Sequence, residues 1–238
     1  AAAKINHVSL GVVKGAGAGS QNASLTFGGA FMYSNETEEY NGSTWAAGGA
    51  MITSKQDHGG AGTQNAALSF CSCTEEYNGT SWAAGGSMLI GRYYLDGVGT
   101  QNDALSIGGT GSPGYTPTLK NAEHYDGTTW SSRADMGVHR NYTGVFGTTT
   151  AAVATGGSPS ITSVEQYNGI SWSADTVLPG AKGDHKAAGT MDDASVYGGG
   201  GSSTSVTFNY TQNYIATASF SKVNAIHFQT DEITITGS

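Results

Sequence analysis

The octet EEYNGTSW at residues 75–82 decides the fold, because it returns as EEYNGSTW from Glu38, EHYDGTTW from Glu123 and EQYNGISW from Glu165. Each copy ends in a tryptophan, and Trp45, Trp82, Trp130 and Trp172 follow one another at spacings of 37, 48 and 42 residues. A further step of 42 falls on Tyr214, inside FNYTQNY, where the Asn-Gly and the indole are gone. A second motif keeps register upstream: SQNASLTFGG from Ser20, TQNAALSFCS from Thr63, TQNDALSIGG from Thr100, TTTAAVATGG from Thr148 and MDDASVYGGG from Met191. Self-similarity at a near-fixed period is the mark of a repeat architecture, and a degenerate last copy is usual for one.

Each unit reads as four short strands. In the third they are RYYLDGVG from Arg92, NDALSIGG from Asn102, KNAEHYDG from Lys120 and TTWSSRAD from Thr128. The Asn-Gly or Asp-Gly between the last two predicts a two-residue type I′ turn, in which both central residues need positive φ. That register sets Tyr40 opposite Ser43 and Glu38 opposite Trp45, with Tyr and Trp as diagonal neighbours. Two-residue periodicity places Tyr, Trp and the first Glu on one face, with Glu39 and Thr44 on the other. A sheet this small cannot bury its own faces, so neighbours must stack through Tyr40 and Trp45, Tyr77 and Trp82, Tyr125 and Trp130, and Tyr167 and Trp172. The expectation is an all-β, five-bladed β-propeller of four-stranded blades over residues 1–221. The blades run roughly over 6–49, 50–87, 88–136, 137–178 and 179–221, and 222–238 form a C-terminal strand or tail for ring closure or subunit contact.

The pattern of an apolar strand ending in Gly-Gly, then Glu-x-Tyr-Asn/Asp-Gly, then Trp, then a basic residue, resembles the kelch repeat over about residues 10–220. Gly28-Gly29, Gly108-Gly109, Gly156-Gly157 and Gly199-Gly200 match the diglycine, the last ambiguous by one residue within a run of four glycines. Lys55, Arg92 and Arg140 match the basic position. The second unit departs, with Cys71-Ser72 in place of the diglycine, and the fifth departs in its third and fourth strands. The wording of the repeats, and the closing ASFSKVNAIHFQTDEITITGS, also look like repeat-bearing tail-fibre and virion structural proteins of marine tailed phages. That resemblance implies a virion localisation, a homo-oligomer within an assembly, and other virion proteins or host-surface glycans as partners; a secreted or cell-surface protein is the alternative.

Composition excludes other classes. Charged residues are 12% of the chain, glycine fills 37 positions and the net charge is −8. No basic stripe is present to neutralise phosphates, which argues against nucleic acid. No apolar run nears the roughly 20 residues a spanning helix needs, which argues against membrane insertion, and AAAKINHVSL lacks the apolar region of a signal peptide. Cys71 and Cys73 read as free thiols in a tight turn, since a bridge between residues two apart is strained.

Catalytic chemistry has little to stand on. The six histidines fall in no HxH, HxxxH or HExxH arrangement, so no metal and no cofactor are expected. The carboxylates at Glu38-Glu39 and Glu75-Glu76 point to opposite faces of a strand, against a glycosidase pair. Glu38, Glu75, Glu123 and Glu165 recur with the fold motif and are expected to accept hydrogen bonds between blades. Recognition should reside where the units differ, in KQDH from Lys55, GRYY from Gly91, HRNY from His139 and GDHK from Gly183. Arg92, Tyr93, Tyr94, His139, Arg140, Tyr142 and His185 are the candidate ligand-binding residues there. The variable loops SNETEE from Ser34 and TGSPGYTPTLKN from Thr110 are a second candidate surface. The expected function is a non-enzymatic virion structural or adhesion component, a tail fibre or capsid decoration. The alternatives are a lectin-like carbohydrate-binding propeller and, behind it, a glycosidase-like or metal-dependent enzyme.

Overall fold

The computed structural model describes residues 14–29, 33–112, 117–158, 161–201, 204–209 and 214–219. The proposed C-terminal strand at 222–238 and the start of the first unit lie outside them. The fold is all-β; the described residues form five four-stranded antiparallel sheets in chain order, with a short strand of a two-stranded ladder, Thr110–Gly111 or Gly200–Gly201, intervening between the second and third strands of two of them. Sheet I comprises Ala16–Ser20, Ala23–Phe27, Thr37–Tyr40 and Trp45–Ala47; sheet II comprises Gly59–Thr63, Ala66–Phe70, Thr74–Tyr77 and Trp82–Ala84. Sheet III comprises Asp96–Thr100, Asp103–Ile107, Ala122–Tyr125 and Trp130–Arg133; sheet IV comprises Gly144–Thr148, Ala151–Thr155, Val164–Tyr167 and Trp172–Ala174. Sheet V comprises Lys186–Gly189, Ala194–Tyr197, Thr204–Asn209 and Tyr214–Ser219. Tyr214 opens the fourth strand of its sheet, the place held by tryptophan in the other four, and pairs with Asn209 as Trp45 pairs with Tyr40.

The first strand of each sheet lies against the first strand of the next, from sheet I through to sheet V. Their sequences, AGAGS, GGAGT, DGVGT, GVFGT and KAAG, are small enough to allow it. A Cβ at Gly97 would sit 2.7 Å from Phe70 Cζ, so this glycine makes room for a ring of the neighbouring sheet. The core is divided among the sheets. Leu25, Phe27, Tyr77 and Trp82 join sheets I and II; Leu68, Phe70, Tyr125 and Trp130 join II and III; Leu105, Ile107 and Tyr167 join III and IV; Phe146, Val153 and Val196 join IV and V. Burial of large apolar side chains from two sheets at once is what makes each sheet stable, since none has a core of its own.

The hairpin at each octet differs from the sequence expectation. Tyr40 pairs directly with Trp45, Tyr77 with Trp82, Tyr125 with Trp130 and Tyr167 with Trp172, leaving four-residue loops rather than two-residue turns. The cause is the Asn side chain. Asn41 Oδ1 accepts from the backbone N–H of Ser43 and Thr44 at 3.0 and 2.9 Å, and Asn78, Asp126 and Asn168 repeat the pattern. This Asx arrangement stabilises a wider loop in which glycine takes the positive φ, 89° at Gly42. Tyr and Trp therefore meet directly across the ladder in tilted pairs, with ring centroids 5.0–5.1 Å apart.

The diglycines join one unit to the next. Gly29, Gly109 and Gly157 N–H donate to the carbonyls of Lys55, Arg140 and Lys182, at the basic position of the following unit. In sheet V the pair at positive φ is Gly198-Gly199, which places the match one residue before Gly199-Gly200.

Candidate functional site

The basic residues of the repeat are buried. Arg92 and Arg140 are 0% exposed and Lys55 3%. Arg92 pairs with Glu123 and donates to the carbonyls of Gly108 and Asn121; Arg140 pairs with Glu165 and donates to Gly156 and Ser163; Lys55 Nζ lies 3.2 Å from Glu75 Oε1. The carboxylates meanwhile accept backbone N–H groups from the segment that crosses from one sheet to the next, Ile52 and Thr53 on Glu75, Leu89 and Ile90 on Glu123, Gly137 and Val138 on Glu165. Each ion pair is thus held by further hydrogen bonds, which a charge removed from water requires, although Nε of Arg92 and of Arg140 is buried without a partner among the described residues. Arg92 and Arg140 thus offer a ligand no surface; the cations pin the inter-sheet crossings.

Tyr93 is half-buried in a two-stranded ladder with Thr110, and exposed His139 bonds through Nδ1 to the Thr118 carbonyl at 2.8 Å. Neither joins the other candidates. Tyr94, Tyr142 and His185 do come together, at the place where each unit turns into its first strand.

Lys14, Asp57, Tyr94, Tyr142 and Asp184 stand at one position in the five units, and all five have a left-handed backbone with φ between 52° and 64°. Such a conformation costs a non-glycine residue of order 1 kcal/mol and persists only where surroundings impose it. Here hydrogen bonds between units impose it. Asp57 N–H donates to the Lys14 carbonyl at 2.9 Å, Tyr94 to Asp57 at 2.7 Å, Tyr142 to Tyr94 at 2.9 Å and Asp184 to Tyr142 at 3.0 Å. The five side chains line a cavity of about 330 Å³, with Leu95, Thr143, His185 and Lys186 completing its wall. A second cavity of about 360 Å³, sharing Lys186, is lined by first-strand residues of all five sheets, among them Ala16, Gly60, Gly97, Val145 and Ala187.

The mouth is polar and aromatic. Tyr94 and Tyr142 stack with centroids 4.4 Å apart; Lys14 Nζ lies 5.6 Å from the Tyr94 centroid and 3.3 Å from Asp57 Oδ2. Burial raises the Asp57 carboxyl, and the adjacent Lys14 charge partly offsets this. Burial also raises the Tyr142 hydroxyl, reinforced by its hydrogen bond with Tyr94 and by Asp57 and Asp184. His185, 2% exposed, is pushed down to about 4 by burial and by Lys182 and Lys186. Its Nε2 accepts from Gly144 N–H at 3.2 Å and Nδ1 has no partner among the described residues.

The two tyrosines and His185 are among the candidates named from the sequence; Asp57 and Asp184 fall inside the variable entries KQDH and GDHK without being singled out, and Lys14 falls in none of them. The missing signal was positional, since these three align with Tyr94 and Tyr142 when the units are set in register. Among the described residues no group of three or more His, Cys, Asp or Glu is placed to hold a metal ion, and no helix is long and apolar enough to cross a membrane. Both cysteines are free, in a turn closed by Cys71 N–H on the Cys73 carbonyl. In comparisons with known proteins, no family model and no curated protein matches the chain.

Proposed function

We propose that the five sheets are the blades of a kelch-like, five-bladed β-propeller, and that the chain is a non-enzymatic binding scaffold whose contact surface is the mouth formed by Lys14, Asp57, Tyr94, Tyr142 and Asp184. The observation that carries this reading is the contrast at that position. One strained backbone conformation occurs five times, linked unit to unit by hydrogen bonds, yet the side chains it projects are Lys, Asp, Tyr, Tyr and Asp. A repeat scaffold that varies its side chains where all units converge has the form of a recognition surface. Deeper in the fold, Lys55, Arg92 and Arg140 and their glutamates are engaged in ion pairs and backbone bonds, which favours binding over catalysis.

The repeat wording supports an adhesion or decoration role on a virion, with host-surface glycans or other virion proteins as partners. The lectin alternative is narrowed by the same geometry, because one central mouth with unlike walls suits a single site better than five equal ones. The test is retention of the purified chain on immobilised bacterial surface polysaccharides. The expected result is binding to at least one, reduced tenfold or more by Tyr142→Ala and unchanged by Ile170→Ser on the outer hairpin, where Ile170 is 82% exposed. Equal loss in both variants, or retention on none of the surfaces, would remove the reading.

A further inference from the structure

We propose that the mouth is a binding site for a primary ammonium group, occupied in this chain by its own Lys14. The inference rests on the mouth being the contact surface and names the chemistry that surface takes. Lys14 Nζ sits 3.3 Å from Asp57 Oδ2 and 5.6 Å from the centroid of Tyr94, whose ring stacks on Tyr142. A carboxylate and an aromatic face together are the partners an ammonium seeks. The Asp57 side chain is only 4% exposed, so a cation reaches it by entering the cavity. The Lys14 side chain is 40% exposed and reaches in on a flexible stem, so an incoming ammonium can displace it.

Charge at the mouth is unbalanced in the same sense. Asp57 and Asp184 both line it, Asp184 is exposed and no ion pair reaches it among the described residues, and the second lysine, Lys186, is drawn to Asp96 at 3.4 Å. Lys186 also feels Asp184, so the carboxylates of Asp57, Asp96 and Asp184 outnumber the ammonium groups of Lys14 and Lys186.

An independent group defines the rest of the ligand. His185, part of the cavity wall, has both its near contacts on Nε2, with Gly144 N–H at 3.2 Å and Thr155 Oγ1 at 2.9 Å, while Nδ1 is buried and partnerless among the described residues. A buried ring nitrogen without a partner is costly, and a polar group on the ligand would satisfy it. The ligand is thus a primary ammonium with a hydroxyl or amide close by, and about 330 Å³ holds one such residue rather than a folded peptide. An amino sugar and a lysine with its carbonyl share this chemistry.

The experiment is calorimetric titration of the full chain at about pH 6.5, where both ammonium groups are charged. The probes are methyl α-glucosaminide, Nα-acetyl-lysine methylamide and, as neutral control, methyl α-glucoside. Lys14→Met is expected to bind one ammonium probe at least tenfold more tightly than the wild type. Adding Asp57→Asn should abolish that gain, and the neutral glucoside should gain nothing. The preferred ammonium probe identifies the source. Lys14→Gln, compared by its unfolding midpoint, guards against a folding defect and should behave alike. Equal affinity of wild type and Lys14→Met would overturn the proposal. Glucoside binding as tight as glucosaminide would also overturn it while leaving the mouth as contact surface; no binding by any probe, with surface retention unaffected by Tyr142→Ala, would remove both.

Discussion

The interfaces on either side of sheet II are near copies of each other, and the interface between sheets III and IV is not. Trp82 Nε1–H donates to Thr37 Oγ1 at 2.9 Å and Trp130 to Thr74 at 2.8 Å; Tyr77 and Tyr125 hydroxyls donate to Glu39 and Glu76 at 2.5 Å. Gln64 and Gln101 each clamp two carbonyls of the preceding sheet, and Phe27 and Phe70 meet the tryptophan rings at 4.9 and 5.3 Å. At the third interface Ala122 stands in the Thr position, His124 in the Glu position, Ile107 in the Phe position and Thr149 in the Gln position. Trp172 Nε1 is accordingly buried without a partner among the described residues, and Tyr167 turns its hydroxyl to the Gly169 carbonyl. A different network compensates. Asp103 accepts from Thr149 at 2.9 Å and from His124 at 2.6 Å, whose other nitrogen takes a bond from Arg133. Apolar packing sets the spacing of the sheets, then, while the polar links at their edges are interchangeable.

The largest effect should come from what all three interfaces share. Glu123→Ala leaves Arg92 buried without its counter-charge and strips an acceptor from Leu89 and Ile90, so a loss of about 3–5 kcal/mol in denaturant unfolding is expected. The same change at Glu165 should cost as much; a loss under about 1 kcal/mol at both would mean the ion pairs do not hold the crossings.

Acid should separate the buried histidines next. Burial and the charges of Lys55 and Lys186 push His58 down to about 3. The unfolded imidazole binds a proton below about pH 6.5 while the folded one does not, so stability is full above that pH and falls as pH drops towards 3. The loss should be about 3 kcal/mol by pH 4, and His58→Leu should remove this part of the pH dependence. His185, which bonds Thr155 where His58 faces Phe27, sits at about 4 and should lose less. An unfolding free energy flat from pH 7 to 4 in the wild type would contradict both assignments.

A smaller effect tests the tryptophans. Trp82→Phe and Trp130→Phe each give up a buried hydrogen bond and orphan a threonine, whereas Trp172→Phe gives up none, so the first two should cost about 1 kcal/mol more. Smallest is a gain: Ala122→Thr supplies the missing acceptor and should stabilise by about 0.5–1 kcal/mol in the wild type but not in Trp172→Phe. No difference between those two backgrounds would dissociate the orphaned indole from Ala122.

Much of this was legible in the residues. The octet marked the third and fourth strands of four units, and Tyr214 was found by spacing although its unit had lost the motif, because strand length and loop closure preserve the period when side chains drift. The hairpin register departs from the expected one because Asn-Gly carries two signals, a left-handed turn and an Asx cap, and the cap prevails. Arg92 and Arg140 stand out as ligand candidates because charge is visible in a sequence and burial is not. A reciprocal signal was there: the units that carry Lys55, Arg92 and Arg140 also carry Glu75, Glu123 and Glu165, whereas in the fifth, with Lys182, Val206 stands at the glutamate position. The mouth was half seen. Tyr94 and Tyr142 stood out as aromatics, but Lys14, Asp57 and Asp184 share with them only a backbone conformation, which no residue type announces when it is not glycine.

Distances between spin labels on equivalent turns test most directly whether five sheets surround one mouth. With both native cysteines replaced by serine, labels at the exposed positions Asn22, Asn65, Asn102 and Asp192 report on sheets I, II, III and V. The account predicts that the Asn22–Asp192 separation matches Asn22–Asn65 and that both are shorter than Asn22–Asn102. An Asn22–Asp192 separation longer than Asn22–Asn102 would describe an open array and contradict it.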